Sequence, residues 1–268
     1  MQKKLSILTG TYMLFLLSLH LSAALDGVLS EVVYYLGFII PFCLCLYMTR
    51  GDGVEWKKYL TIDSEGVRLF TPFIFPTVTC IIILSALTSY LIFALTGKTN
   101  SVDMGDSYLL ALLTHALIPA ILEEALFRYL PMRLIAPHSP RYAIILSAIL
   151  FALVHQNLFA IPYALFGGVI LMSLDLATDS VIPSVVIHFI NNAISVSAFF
   201  IPLEITLFLF YLWIFILTVM SLIIIIKSRS DYELPLIMIT DKGEGAKITV
   251  EMVLFAALTL AVAVLNLL

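Results

Sequence analysis

The sequence predicts an all-α fold, a polytopic transmembrane helical bundle of about eight or nine spans, and three observations carry that prediction. Hydrophobic residues make up 62% of the 268 and charged residues only 12%, where a soluble domain carries roughly 25% charged residues. The apolar residues fall into long runs near the ~20 that a bilayer requires of a helix. Ten-residue stretches of alternating polarity are absent, so a closed barrel is excluded, and helices remain the structure that satisfies its own backbone in lipid.

The spans follow in order at 5–25, 31–49, 71–96, 107–134, 141–158, 160–177, 181–201, 203–226 and 249–268. The first begins after Met-Gln-Lys-Lys, is too long for a signal-peptide core and lacks a small-x-small cleavage site, so it reads as a retained helix. Most connections are short. Arg50–Phe70 and Lys227–Lys247 are longer, mixed in charge and glycine-containing. With no internal repeat or low-complexity segment, residues 1–268 read as a single transmembrane domain. The net charge of −4 comes without any basic run or aromatic platform, which excludes nucleic acid as a partner. Cys43, Cys45 and Cys80 lie in apolar spans without metal-type spacing and read as small buried hydrophobes.

Basic residues orient the chain. With the N-terminus in the cytoplasm, Lys3, Lys4, Arg50, Lys57, Lys58, Arg68, Arg133, Arg141, Lys227, Arg229, Lys242 and Lys247 all fall on the cytoplasmic side, and only Lys98 falls outside. Nine crossings put the C-terminus outside.

Against this apolar background the informative residues are Glu123 and Glu124, adjacent in the fourth span and followed by Arg128. A charged side chain near the bilayer centre costs about 2.5–3.5 kcal/mol on insertion scales, which makes it a functional-site candidate. Residues four apart share a helix face, so Arg128 pairs with Glu124, and Glu123, turned about 100° away, is left as the candidate general base. Pro119 removes a helix hydrogen bond just upstream. Two later spans supply polar partners. Phe151 and His155 share a face, as do His188 and Asn192, and an imidazole with an amide can donate to developing negative charge. Taken singly, each group also fits a structural role: an ion network for the glutamate pair, a helix-bridging hydrogen bond for His155. Asn191 points away toward another helix, His115 reads as structural, and Asp175 and Asp179 read as capping or solvated residues of a turn. Counted from the span ends, Glu123 lies ~15 Å and His188 ~10 Å from the cytoplasmic side, while His155 comes out deeper, at ~21 Å. The site is expected to open to the cytoplasm.

Glu-Glu-x-x-x-Arg, Phe-x-x-x-His and His-x-x-x-Asn, in that order on three spans, together with the Gly-bearing link Leu165–His188 ending in Thr-x-Ser-x-x-Pro, resemble the CAAX prenyl protease and bacteriocin-processing family of intramembrane glutamate proteases. The likeness covers about 111–199, within a core of 107–201. It implies an endopeptidase in which Glu123 and His155 activate water and His188 and Asn192 stabilise the oxyanion. Glu124 and Arg128 would hold the site's shape, with Phe151 supporting it. No cofactor is implied. It further implies a peptide or prenylated-protein substrate in the membrane, cut near the C-terminus of a CAAX-type protein at the cytoplasmic side. The alternatives are a processing protease for an unprenylated peptide, or a non-catalytic immunity or scaffold protein. A zinc protease is disfavoured because no His-Glu-x-x-His occurs and the three groups arise from separate helices. A transporter is disfavoured because no polar pathway or pseudo-symmetry is visible. The sequence assigns neither an oligomeric state nor a role to the last span.

Overall fold

The computed structural model describes residues 1–51, 57–99, 104–201, 204–227 and 250–267; Arg229, Lys242, Lys247 and most of the expected loop around them lie outside these. Among the described residues the chain forms nine helices and no strand. They are α1 Gln2–Ala23, α2 Gly27–Met48, α3 Ser64–Thr96, α4 Tyr108–Leu134, α5 Pro140–Val154, α6 Ile161–Thr178, α7 Ile182–Phe200, α8 Glu204–Lys227 and α9 Val250–Leu267. Seven of these are long and apolar enough to cross a membrane; α5 and the described part of α9, Met252–Asn266, are shorter. The protein is an integral membrane protein.

Two of the differences from the spans read in the sequence bear on the site and its surroundings. The third starts at Ser64 rather than 71, because Asp63 accepts a hydrogen bond from the Gly66 amide at 2.7 Å and the chain passes through a 3-10 turn at Thr71–Phe73 into the rest of α3. The fifth ends at Val154 rather than 158. Its 15 residues rise only ~22 Å, short of the ~30 Å hydrocarbon core. Gln156 takes a left-handed backbone (φ 50°), and the Asn157 side chain accepts from the Phe159 amide at 2.9 Å. The turn sits beside the far ends of α1 and α9: the Gln156 side chain lies 3.3 Å from His20 Nε2, and Asn266 of α9 donates to the Gln156 carbonyl at 3.0 Å.

The helices alternate in direction, and contacts at both ends fix this. At the end where the chain starts, the near end, Arg133 donates to the Thr49 carbonyl (3.2 Å), the Val181 amide to the Tyr59 carbonyl (3.0 Å), and Lys58 pairs with Asp179 (3.2 Å). At the far end, Ser30 donates to the Ser22 carbonyl (2.9 Å), and Tyr108 and Ser197 share a hydrogen bond (3.0 Å). Odd-numbered helices therefore run from near to far.

Packing is tightest in the near half. Leu5, Leu8 and Tyr12 of α1 and Leu126, Phe127, Leu130, Met132 and Leu134 of α4 are fully buried, as are Ile135 just beyond α4 and Phe255 of α9. The last helix, which has no role legible in the sequence, thus belongs to this core: Phe255 packs 6.2 Å from the Tyr12 ring and Met252 meets Tyr142. Helices α5 and α6 approach closely at Gly168, where an added Cβ would lie 2.9 Å from the Ala148 Cα. Lipid gives helices no hydrophobic drive to associate, so such small-residue contacts are what hold them together.

Candidate active site

Helix α4 carries the two glutamates on an irregular backbone. Its ladder widens into π-helical stretches at Leu112–Leu117 and Ala125–Tyr129, before and after the segment Ile118–Glu124 that contains Pro119. Such wide turns leave carbonyls without their usual amide and re-aim the side chains that follow. In the second stretch those carbonyls are met by side chains. Tyr12 donates to the Leu126 carbonyl at 3.0 Å, and both Ser147 and Arg128 Nη1 donate to that of Phe127. Pro119 marks an irregularity in the sequence; the π turns, Tyr12 and Ser147 have no signal there, since each depends on a partner far along the chain.

The glutamates are placed differently. Glu124 is fully buried, and its Oε2 lies 3.2 Å from Arg128 Nε, itself fully buried. Arg128 also donates to Ser147 Oγ at 3.1 Å and lies 4.4 Å over the Phe151 ring. Glu123 is 18% exposed and faces a cavity of about 540 Å³. Of the two carboxylates, only Glu123 is in reach of water.

His188 sits between them. Its Nδ1 is 2.7 Å from Glu124 Oε1 and its Nε2 is 3.9 Å from Glu123 Oε2. A carboxylate paired with arginine can only accept, so Nδ1 carries the proton of the short bond. The sequence does not announce this contact, because it joins helices 64 residues apart. His155 caps the end of α5. Its backbone amide bonds Leu153, and its ring Nδ1–H donates to the Phe151 carbonyl at 2.7 Å. With Nδ1 donating, Nε2 carries the lone pair of the neutral ring. Phe151 stands edge-on to both imidazoles, at 4.8 Å from His155 and 5.9 Å from His188. It is thus the apolar hub of the site.

Asn192 lines the same cavity one turn beyond His188. Asn191, expected to face another helix, instead lines the cavity too and donates to Asn192 Oδ1 at 3.2 Å, which leaves the Asn192 amide free to donate into the cavity. A turn of 100° does not remove a side chain from a cavity this wide. Thr114 and His115 also reach the wall. Of the two roles expected for Asp175, capping or solvated, it takes the first: it is fully buried and accepts from the Ser184 amide at 3.0 Å, capping the first turn of α7 and fixing the helix that carries His188. Asp179 ends α6 in a left-handed conformation (φ 49°) and is exposed. Among the described residues no three His, Cys, Asp or Glu side chains are arranged to hold a metal ion.

A cavity-facing carboxylate, a tautomer-fixed imidazole and a buried ion pair thus converge inside the helical bundle. Residues 105–194 match the family model described as Rce1-like, type II CAAX prenyl endopeptidase, a stretch that holds all seven motif residues from Glu123 to Asn192. Over this stretch, about a third of the chain, the protein is similar to type II CAAX prenyl endopeptidases, which are proteases. No curated protein and no solved structure matches it.

Proposed function

We propose that this protein is an intramembrane endopeptidase that hydrolyses a peptide bond of a membrane-held polypeptide with a water activated by Glu123. The observation that carries this reading is the convergence of three motifs on one cavity, with Glu123 exposed to it and Glu124 sealed behind it. Glu123 takes the proton of the attacking water, and His155 Nε2, freed by the Nδ1 bond to Phe151, accepts from the same water. Attack on the carbonyl carbon places negative charge on its oxygen. The Asn192 amide donates to that oxygen, and so does His188 Nε2–H once the ring is doubly protonated. The second ring proton is taken up from water before the attack, and Glu124, held by Arg128, accepts the hydrogen bond of His188 Nδ1–H and supports that positive charge. The proton on Glu123 then passes to the leaving amine, which restores the carboxylate. No metal ion enters this scheme.

The likeness to the CAAX prenyl endopeptidase family makes a prenylated CAAX-type C-terminus the first substrate to test, with an unprenylated peptide as the second. Purified protein in detergent is incubated with a farnesylated CAAX peptide and its unfarnesylated counterpart, and products are read by mass spectrometry. Cleavage that is lost in Glu123→Gln and kept with a metal chelator supports the reading. Cleavage lost to chelation in a metal-analysed preparation replaces the glutamate mechanism with a metal one. Cleavage of neither peptide, with a cellular phenotype intact in Glu123→Gln, leaves a scaffold.

A further inference from the structure

The cavity does not run toward the basic end of the bundle. From Glu123 and His188 its wall continues through His115 and Thr114 in the first turns of α4, and through Ser195 near the end of α7. It reaches Met104 in the connection before α4. All of these lie on the far side of Glu123, where α3 ends and α4 begins. On the near side the way is blocked. Behind Glu123 come Glu124, Leu126, Phe127, Arg128 and Leu130, each fully buried, with Ser147 and Ser184 closing on them from α5 and α7.

The near end carries Lys3, Lys4, Arg50, Lys57, Lys58, Arg68, Arg133, Arg141 and Lys227, while among the described residues the far end carries Lys98 alone. Short loops rich in lysine and arginine stay in the cytoplasm. The alternation of helices fixed by contacts at both ends leaves no way to move one basic group without moving all of them.

We infer that the catalytic cavity opens to the non-cytoplasmic face, and that the substrate is an exported or membrane-anchored polypeptide whose scissile bond is presented from that side. This rests on the protease reading for its chemistry, but its geometry is independent of it. A C-terminus processed from the cytoplasm would meet the packed near half of α4. The opening toward the cytoplasm that polar-residue depth suggests is thereby reversed: depth places Glu123 and His188 along their helices, whereas which half of the bundle is packed decides where the opening lies.

The test is sided cysteine labelling of the full chain. In a background with Cys43, Cys45 and Cys80 replaced by serine, single variants Thr114→Cys and Ser195→Cys report the cavity, Lys98→Cys the far end and Lys58→Cys the near end. A membrane-impermeant maleimide is added to intact cells and to inside-out vesicles. The expected result is labelling of the Thr114→Cys, Ser195→Cys and Lys98→Cys variants in intact cells, and of Lys58→Cys only in vesicles. Labelling of both cavity positions from the Lys58 side, or from neither side, overturns the inference, and so does labelling of Lys58→Cys in intact cells. Any peptide cleaved by the detergent-solubilised enzyme is then added to both preparations, with cleavage expected only with intact cells. Detergent removes sidedness, so failure there counts against the protease reading alone, and reversed labelling counts against the sidedness alone.

Discussion

Glu123 and Glu124 are neighbours in sequence with opposite surroundings, and their substitutions separate chemistry from stability. Glu123→Gln removes the base but keeps the shape. Its expected effect is a fall in kcat of about 10²–10⁴-fold, the usual contribution of general-base catalysis, with the melting transition in detergent unmoved. Glu124→Gln leaves the guanidinium of Arg128 buried and uncompensated. Breaking a buried pair in this way costs about 3–5 kcal/mol, so the thermal transition of the purified protein falls sharply, and activity falls with it because His188 loses its anchor. If Glu124→Gln melts like the parent chain, the ion pair is not what holds this part of the bundle. The pairing of Glu124 with Arg128 is legible in the sequence, because i and i+4 are neighbours on any helix. The bond from His188 to Glu124 is not.

At the scale of elements, the site depends on where helices stop and how closely they approach. Helix α5 stops at Val154 because Gln156 and Asn157 form a turn beside the far ends of α1 and α9, and that stop places His155 at a helix end where its ring caps Phe151. His155 remains deeper than His188, about 15 residues along α5 against six along α7, and the Phe151 ring between them spans the offset. Gly168 lets α6 approach α5 against Ala148. Gly168→Leu forces these backbones apart, and overpacking of this kind typically costs about 1–3 kcal/mol. It is expected to lower the melting temperature and to weaken cleavage by moving His155 relative to Glu123, with a circular dichroism melt and the peptide assay as the measurements. Restored melting without restored cleavage in a compensating Ala148→Gly variant would locate the effect in site geometry.

For the whole molecule, the matched family segment is only the middle of the bundle. Residues 105–194 carry the family match and the seven motif residues, yet α1 supplies Tyr12 to the π turn of α4, and α9 supplies Phe255 to Tyr12 and Asn266 to the α5–α6 turn. Removing residues 250–268 exposes the Tyr12 face and leaves the Gln156 carbonyl without its donor. Loss of a buried aromatic side chain alone is worth on the order of 3 kcal/mol. The truncated protein is expected to be less thermostable in detergent than the full chain, and Phe255→Ala to reproduce much of the loss. An unchanged melt in both would make α9 an appendage.

The sequence by itself determined the fold class, the approximate spans, the three motifs and the pairing of Glu124 with Arg128, because hydropathy runs and i, i+4 spacing are properties of one chain segment at a time. Only the tertiary structure decided what depends on distant segments meeting. It brought His188 onto Glu124, Asn191 beside Asn192 and the buried Asp175 onto the start of α7, and it satisfied the π turn from α1 and α5. It also placed the cavity in the far half of the bundle, since an opening exists where helices fail to pack, and packing is a relation between helices that no single span encodes.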